Sequence, residues 1–148
     1  MESVSVREAR PSDAHDLATL CTQLGYPSDA QEMPARLARL AADSNARAFV
    51  AESGGTVHGL LTVHLRFTLN HAAPIAQITL LVVNQLKRGR GIGRLLVQRA
   101  EAWVAEQGSQ RINVTTKLTR TDAHAFYESV GYTHTGRRYG KDFLSAQG

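Results

Sequence analysis

The sequence predicts an α+β domain with a mixed sheet, on three observations. Leu61, Val63, Leu65, Phe67 and Leu69 alternate with Thr62, His64, Arg66 and Thr68, the period of a half-buried strand. Met33, Leu37, Leu40 and Ala41 recur at helical spacing, as do Ile92, Leu95, Leu96, Ala100, Trp103 and Val104. Between the alternating strand and the second of these helices lies the apolar run Ile78-Thr79-Leu80-Leu81-Val82-Val83, and after it Arg88-Gly89-Arg90-Gly91-Ile92-Gly93. A strand, a glycine-rich turn and a helix start therefore follow one another. At 148 residues the chain reads as one domain, residues 1–148, able to bury a sizeable core.

Element by element, Val4 to Arg7 is a short strand. Arg10-Pro11-Ser12-Asp13 supplies a proline and capping residues for a helix through about Leu24, which Gly25-Tyr26-Pro27-Ser28 breaks. The helix carrying Met33 follows. Ala48 to Ser53, the turn Ser53-Gly54-Gly55 and Val57 onward form a hairpin, and the alternating strand comes next. Ala76 to Val83 feeds the glycine turn, Gly108 ends the helix that Ile92 opens, and Ile112 to Thr116 is a strand. Asp122 to Val130 is a helix, and Tyr132 onward a final hairpin centred near Gly136.

Composition narrows the function. The longest apolar runs fall far short of a membrane span, and Met1-Glu2-Ser3 lacks the cationic start of a secretory leader. A lone cysteine, Cys21, among Leu17, Leu20 and Leu24 rules out an internal disulfide framework, fits a reducing cytoplasm, and reads as buried filler. The net charge of +4 is concentrated locally, from Lys87 to Arg99 and at Arg137, Arg138 and Lys141. A nucleic-acid surface would show a longer stripe with exposed aromatics, so a small polyanion explains the first cluster more simply. No tight His/Cys spacing suggests a metal site.

The glycine turn is an anion cradle by construction. Glycines let the backbone approach, the free N–H groups of a helix start point at the ligand, and the helix dipole favours negative charge. A dinucleotide site wants G-x-G-x-x-G, yet Arg94 stands where the last glycine belongs, and a P-loop needs Gly-Lys-Ser/Thr at the helix start. What the segment does fill is [Arg/Gln]-x-x-Gly-x-[Gly/Ala], through Arg88, Gly91 and Gly93.

Together with Ala123-His124-Ala125-Phe126-Tyr127-Glu128-Ser129-Val130-Gly131-Tyr132 downstream, this motif makes the chain resemble the GNAT superfamily of acetyl-CoA-dependent N-acetyltransferases, over nearly its whole length. The resemblance implies a mostly antiparallel mixed sheet of six to seven strands, flanked by about four helices, with a bulged and splayed central strand. It implies acetyl-CoA as co-substrate. Leu81, Val82 and Val83 would bond the pantetheine through the main chain, an N–H near Leu81–Val82 facing the thioester oxygen. Arg88, Gly89, Arg90, Gly91, Ile92, Gly93 and Arg94 would hold the diphosphate. Relatives are often homodimers.

Acetyl transfer to an amine requires a deprotonated nitrogen, an N–H donor for the oxyanion and a proton for the departing thiolate. Tyr127 matches the tyrosine that many members place beside the CoA sulfur, and a phenol is protonated at neutral pH. Two positions depart from the family. Arg120 stands where many relatives have a CoA-contacting Asn, and Gln77 and Leu80 stand where a carboxylate base is expected. Histidine is the natural substitute, which singles out His64 on the polar strand face, His71 in the following connection, and His124.

His64-Leu65-Arg66-Phe67-Thr68-Leu69-Asn70-His71, with Asp122-Ala123-His124-x-Phe126-Tyr127, looks like the aminoalkylphosphonate N-acetyltransferase branch, which acetylates small primary amines bearing an anionic group. Arg66, or Arg137 and Arg138, would meet that group; a polycationic aminoglycoside suits a basic chain less well. The expected activity is acetylation of a small-molecule amine by direct attack in a ternary complex. Acetylation of a protein amine or N-terminus, and an acyl-CoA-binding module without catalysis, are the alternatives.

Overall fold

A computed structural model describes residues 3–115, 121–136 and 138–143. The chain divides into two compact units, Met1–Val114 and Thr115–Gly148. The first unit holds a five-stranded sheet in the order β1 (Ser5–Glu8), β2 (Ala46–Ser53), β3 (Thr56–Arg66), β4 (Ile75–Val83), β5 (Ile112–Val114). Neighbours from β1 to β4 run antiparallel, and β5 lies parallel to β4, the crossover being α3 (Ile92–Glu106). Helices α1 (Ala14–Leu24) and α2 (Met33–Ala41) lie between β1 and β2 in sequence.

Strand alternation sorts the two faces. Ala48, Val50, Leu60 and Val82 point toward Leu17, Ala18, Leu20 and Cys21 of α1 and Met33 of α2, forming one buried cluster. The Cys21 thiol belongs to it, and burial pushes its pKa up, which is the inert state of a packing cysteine. The opposite face receives α3, with the Arg99 guanidinium 4.7 Å from the Phe49 ring centre and Arg47 5.1 Å from that of Trp103. Trp103 is thus a core residue. Gly59 marks the closest approach: a Cβ there would lie 2.9 Å from Leu96 Cδ1 and 3.0 Å from Ile92 Cγ2, so only glycine lets the first turns of α3 rest on β3.

An ion-pair knot ties β1 and β2 to the start of α1. Arg7 grips Asp13 with two nitrogens at 2.8 and 2.9 Å and reaches Glu52 Oε1 at 3.1 Å, while Asp13 Oδ2 also accepts the Arg10 N–H at 2.8 Å. The Arg7 guanidinium holds the Asp13 carboxyl below its ordinary range. In the second unit, α4 (Thr121–Ser129) ends at Gly131, whose left-handed φ of 95° lets Tyr132 N–H return to the Tyr127 carbonyl at 2.9 Å.

Strand count is where expectation and structure differ: five strands among the described residues, not six to seven. The hairpin return and the alternating strand are one continuous β3, and it stops at Arg66, opposite Ile75. Phe67 and Leu69, expected on its buried face, are exposed because the partner strand ends there and no ladder extends past it. Among the described residues the terminal hairpin does not form either: 132–136 and 138–143 carry no strand, with Tyr139 86% and Phe143 90% exposed. Alternation makes a strand only where a neighbour completes the hydrogen bonds. Likewise β5 ends at Val114, short of the expected Thr116, which lies outside the described residues.

Candidate active site at the bulged strand and glycine turn

The central strand carries a bulge where register opposes Thr62 to Leu80 but Val63 to Ile78, leaving Thr79 as the extra residue on β4. Past the bulge β4 has one laddered edge. The ladder with β5 covers only Ala76–Ile78, while pairing with β3 runs on to Val83. Asn84 N–H donates to the His58 carbonyl at 2.7 Å, which fixes the phase of the β3–β4 ladder. Val82 and Leu80 turn their main chain to β3; Leu81 and Val83 turn theirs to the opposite edge, where the described strands provide no ladder partner. Leu80 packs its side chain against the α1–α2 cluster, so it is a core residue, and Gln77 sits opposite His64.

The chain then turns toward α3. Asn84 Oδ1 accepts the Leu86 N–H at 3.0 Å and opens a short 3-10 turn, Gln85–Lys87. Arg88 Nε donates back to the Val83 carbonyl at 3.4 Å. Gly89 and Gly91 have φ of 82° and 79°, the left-handed region that only glycine enters at little cost. Gly91 is the N-cap of α3; its carbonyl accepts Leu95 N–H at 3.1 Å, but it has no side chain to cap the amides above it. Ile92, Gly93 and Arg94 therefore present N–H groups without a helical or side-chain acceptor. No carboxylate lies in that first turn, and among the described residues no ion pair neutralises Arg88, Arg90 or Arg94. A row of amides without an acceptor of their own, beside uncompensated cations, fits a diphosphate.

Next to the bulge, three side chains from one sheet face converge. Thr79 Oγ1 is 2.6 Å from Thr62 Oγ1, 3.3 Å from the Thr62 carbonyl and 3.3 Å from His64 Nδ1. Thr62 is buried and His64 half-buried. Sequence patterning singles out His64 but not the two threonines, since only the bulge brings Thr79 round to Thr62. Arg66 lies on the same face at the end of β3, exposed. His71 sits apart in the exposed connection, with Nδ1 3.1 Å from Thr68 Oγ1.

In the second unit Tyr127 is 9% exposed and packs edge-on against Phe126, ring centres 5.4 Å apart, and against Tyr132 at 5.8 Å. Arg120 and Arg137 lie outside the described residues. Among the described residues no three His, Cys, Asp or Glu are grouped to hold a metal, and no helix is long and apolar enough to cross a membrane.

Known proteins resemble this arrangement. The family model of the acetyltransferase (GNAT) family matches residues 12–132. The aminoalkylphosphonate N-acetyltransferase of Salmonella typhimurium is 32% identical over 142 residues, 95% of this chain and 92% of its own. The aminoglycoside N(6')-acetyltransferase type 1 of Stenotrophomonas maltophilia is 27% identical over 90% of this chain and 88% of its own. A solved structure of a putative acetyltransferase from Agrobacterium tumefaciens superposes with a TM-score of 0.84 at 30% identity, covering 93% of this chain and 99% of that one.

Proposed function

Since this chain belongs to the acetyltransferase (GNAT) family and is an acetyl-transferring acyltransferase, we propose that it moves the acetyl group of acetyl-CoA to a primary amine of a small molecule, by direct attack in a ternary complex. One observation carries the reading. A bulged strand with an unladdered edge leads through a 3-10 turn and the glycine turn into an uncapped, cationic helix start, an order that suits an extended amide chain followed by a diphosphate.

In this reading the main chain of Leu81 and Val83 bonds the pantetheine as an added strand would, and a Leu81 N–H meets the developing oxyanion. The amides of Ile92, Gly93 and Arg94, the turn glycines Gly89 and Gly91, and Arg88 and Arg90 hold the diphosphate. Val82, whose main chain faces β3, contributes by anchoring the strand in the core. Tyr127 protonates the departing thiolate. The family match runs from 12 to 132, across the boundary of the two compact units, which supports one N-acetyltransferase domain over residues 1–148.

For the acceptor, a small amine with an anionic group suits the exposed Arg66 on the polar face of β3 and a net charge of +4. The Salmonella relative's name points the same way. A polycationic aminoglycoside would be repelled by the same charge. The absence of a carboxylate at Gln77 and Leu80 favours a second reading, an acyl-CoA-binding module without turnover.

A panel separates the two: acetyl-CoA with an aminoalkylphosphonate, an unsubstituted alkylamine, an aminoglycoside and a peptide N-terminus, followed by thiol release. Fastest release with the aminoalkylphosphonate is expected. Faster release with the peptide or the aminoglycoside would overturn the acceptor assignment. CoA binding without release across the panel would establish the module.

A further inference from the structure

Resting on the acetyltransferase reading, we propose that His64 is the general base of this enzyme, held in the correct tautomer by Thr79 and Thr62 at the β4 bulge. The hydrogen-bond inventory leads there. In this proposal the Thr79 hydroxyl donates its single proton to the Thr62 carbonyl, which only accepts and lies 3.3 Å away. Both lone pairs of Thr79 Oγ1 are then acceptors. One takes the Thr62 hydroxyl proton at 2.6 Å, and the other takes the His64 Nδ1–H at 3.3 Å. With its proton on Nδ1, the neutral imidazole carries its free lone pair on Nε2.

This arrangement has a kinetic consequence. Neutral and protonated His64 present the same Nδ1–H to Thr79, so Nε2 takes up a proton while the Thr79 contact is unchanged. Such a base is preorganised. The bulge creates the contact, because Thr79 is the residue added to β4 and its hydroxyl bridges Thr62 and His64 on the facing strand.

Among the described residues of the sheet, no competing base faces this point. On β4 the neighbours are Gln77, whose amide is not basic, and Leu80 in the core; on β2 the residue paired with His64 is Ala46. The charged group on the same face is Arg66, which cannot accept a proton. Of the carboxylates near the sheet, Glu52 is bound to Arg7, Glu8 to Arg47, and Asp16 accepts the Val57 N–H.

The step balances. A substrate ammonium gives one proton to Nε2, which later releases it to water. The freed nitrogen lone pair forms a bond to the thioester carbonyl carbon, and the C–S bond breaks. The second nitrogen proton replaces the one that the thiolate sulfur receives from Tyr127.

The test compares wild type, His64→Ala, Thr79→Val and Thr79→Ser in thiol release from acetyl-CoA with the fastest amine of the panel, over pH, with CoA binding measured by calorimetry. His64→Ala is expected to lower kcat/KM by at least ~10²-fold, to remove the acidic limb of its pH profile, to leave CoA affinity within about twofold, and to recover in part with added imidazole. Thr79→Val should lower kcat with a displaced pH profile, and Thr79→Ser should restore both. If His64→Ala does not fold, His64→Gln, similar in volume and not basic, is expected to behave the same way. Wild-type kcat/KM and an intact acidic limb in either His64 variant would overturn the proposal while leaving the acetyltransferase reading standing. A wild type that binds no CoA and releases no thiol would remove the reading, and this inference with it.

Discussion

Adding one methyl group at Gly59 tests how sheet packing sets the cofactor site. In Gly59→Ala the new carbon falls 2.9 Å from Leu96 Cδ1 and 3.0 Å from Ile92 Cγ2. That is roughly 0.5–1 Å inside ordinary carbon–carbon contact. Both neighbours are buried and have nowhere to go, so either Leu96 leaves its rotamer or the first turn of α3 lifts from β3. Overpacking of this kind costs about 1–3 kcal/mol. Restricting the unfolded chain by replacing glycine offsets about 0.4–1 kcal/mol of that. The net expectation is a loss of about 1 kcal/mol in urea unfolding. Because the lifted turn carries the Ile92, Gly93 and Arg94 amides, CoA affinity by titration calorimetry should fall several-fold, on a scale where about 1.4 kcal/mol is tenfold. Leu96→Val removes the clashing Cδ1, so it should be less costly in the Gly59→Ala background than alone. Additive effects with unchanged CoA affinity would refute the reasoning.

Three further perturbations probe separate parts of the account. Gly91→Ala meets open space but must hold φ at 79°, so it should lose about 1–2 kcal/mol of stability and weaken CoA binding, as urea unfolding and calorimetry would register. Tyr127→Phe should lower turnover by ~10²-fold with CoA affinity unchanged; unaltered turnover with chemistry rate-limiting would remove its role as acid. Asp13→Asn breaks the bidentate Arg7 pair and should cost about 2 kcal/mol at neutral pH. Asp13 is held below its ordinary range, so its contribution is present above an unfolded pKa of ~3.9 and is lost as pH falls through the lower folded value. Wild type should therefore lose more stability than Asp13→Asn between pH 5 and pH 2, which urea unfolding at both values measures.

What could be read from residue order alone was whatever local chemistry dictates. The glycine turn was legible because left-handed Gly89 and Gly91 and an uncapped helix start leave a pattern in sequence. Helices α1, α2 and α3 were legible from apolar spacing, and Cys21 and Trp103 from their neighbours on those helices. Strand extent was not, because it depends on a partner: Phe67 and Leu69 continue the alternation of β3 but no described strand ladders with them, and residues 132–136 and 138–143 likewise carry no strand. The Thr62–Thr79–His64 contact was also hidden. The threonines are seventeen positions apart, and only a one-residue slip in register brings the Thr79 hydroxyl against Thr62 on the facing strand. Gly59 gave no signal either, since its φ is ordinary and its need for glycine comes wholly from α3 packing.

Calorimetric titration of the folded protein with CoA and with acetyl-CoA tests the central claim most directly, that the uncapped amides and cations between Arg88 and Arg94 hold a diphosphate. The account predicts saturable one-to-one binding of both, weakening as salt is added and weakening again in Gly91→Ala. Folded protein that gives no binding heat with either compound would contradict it.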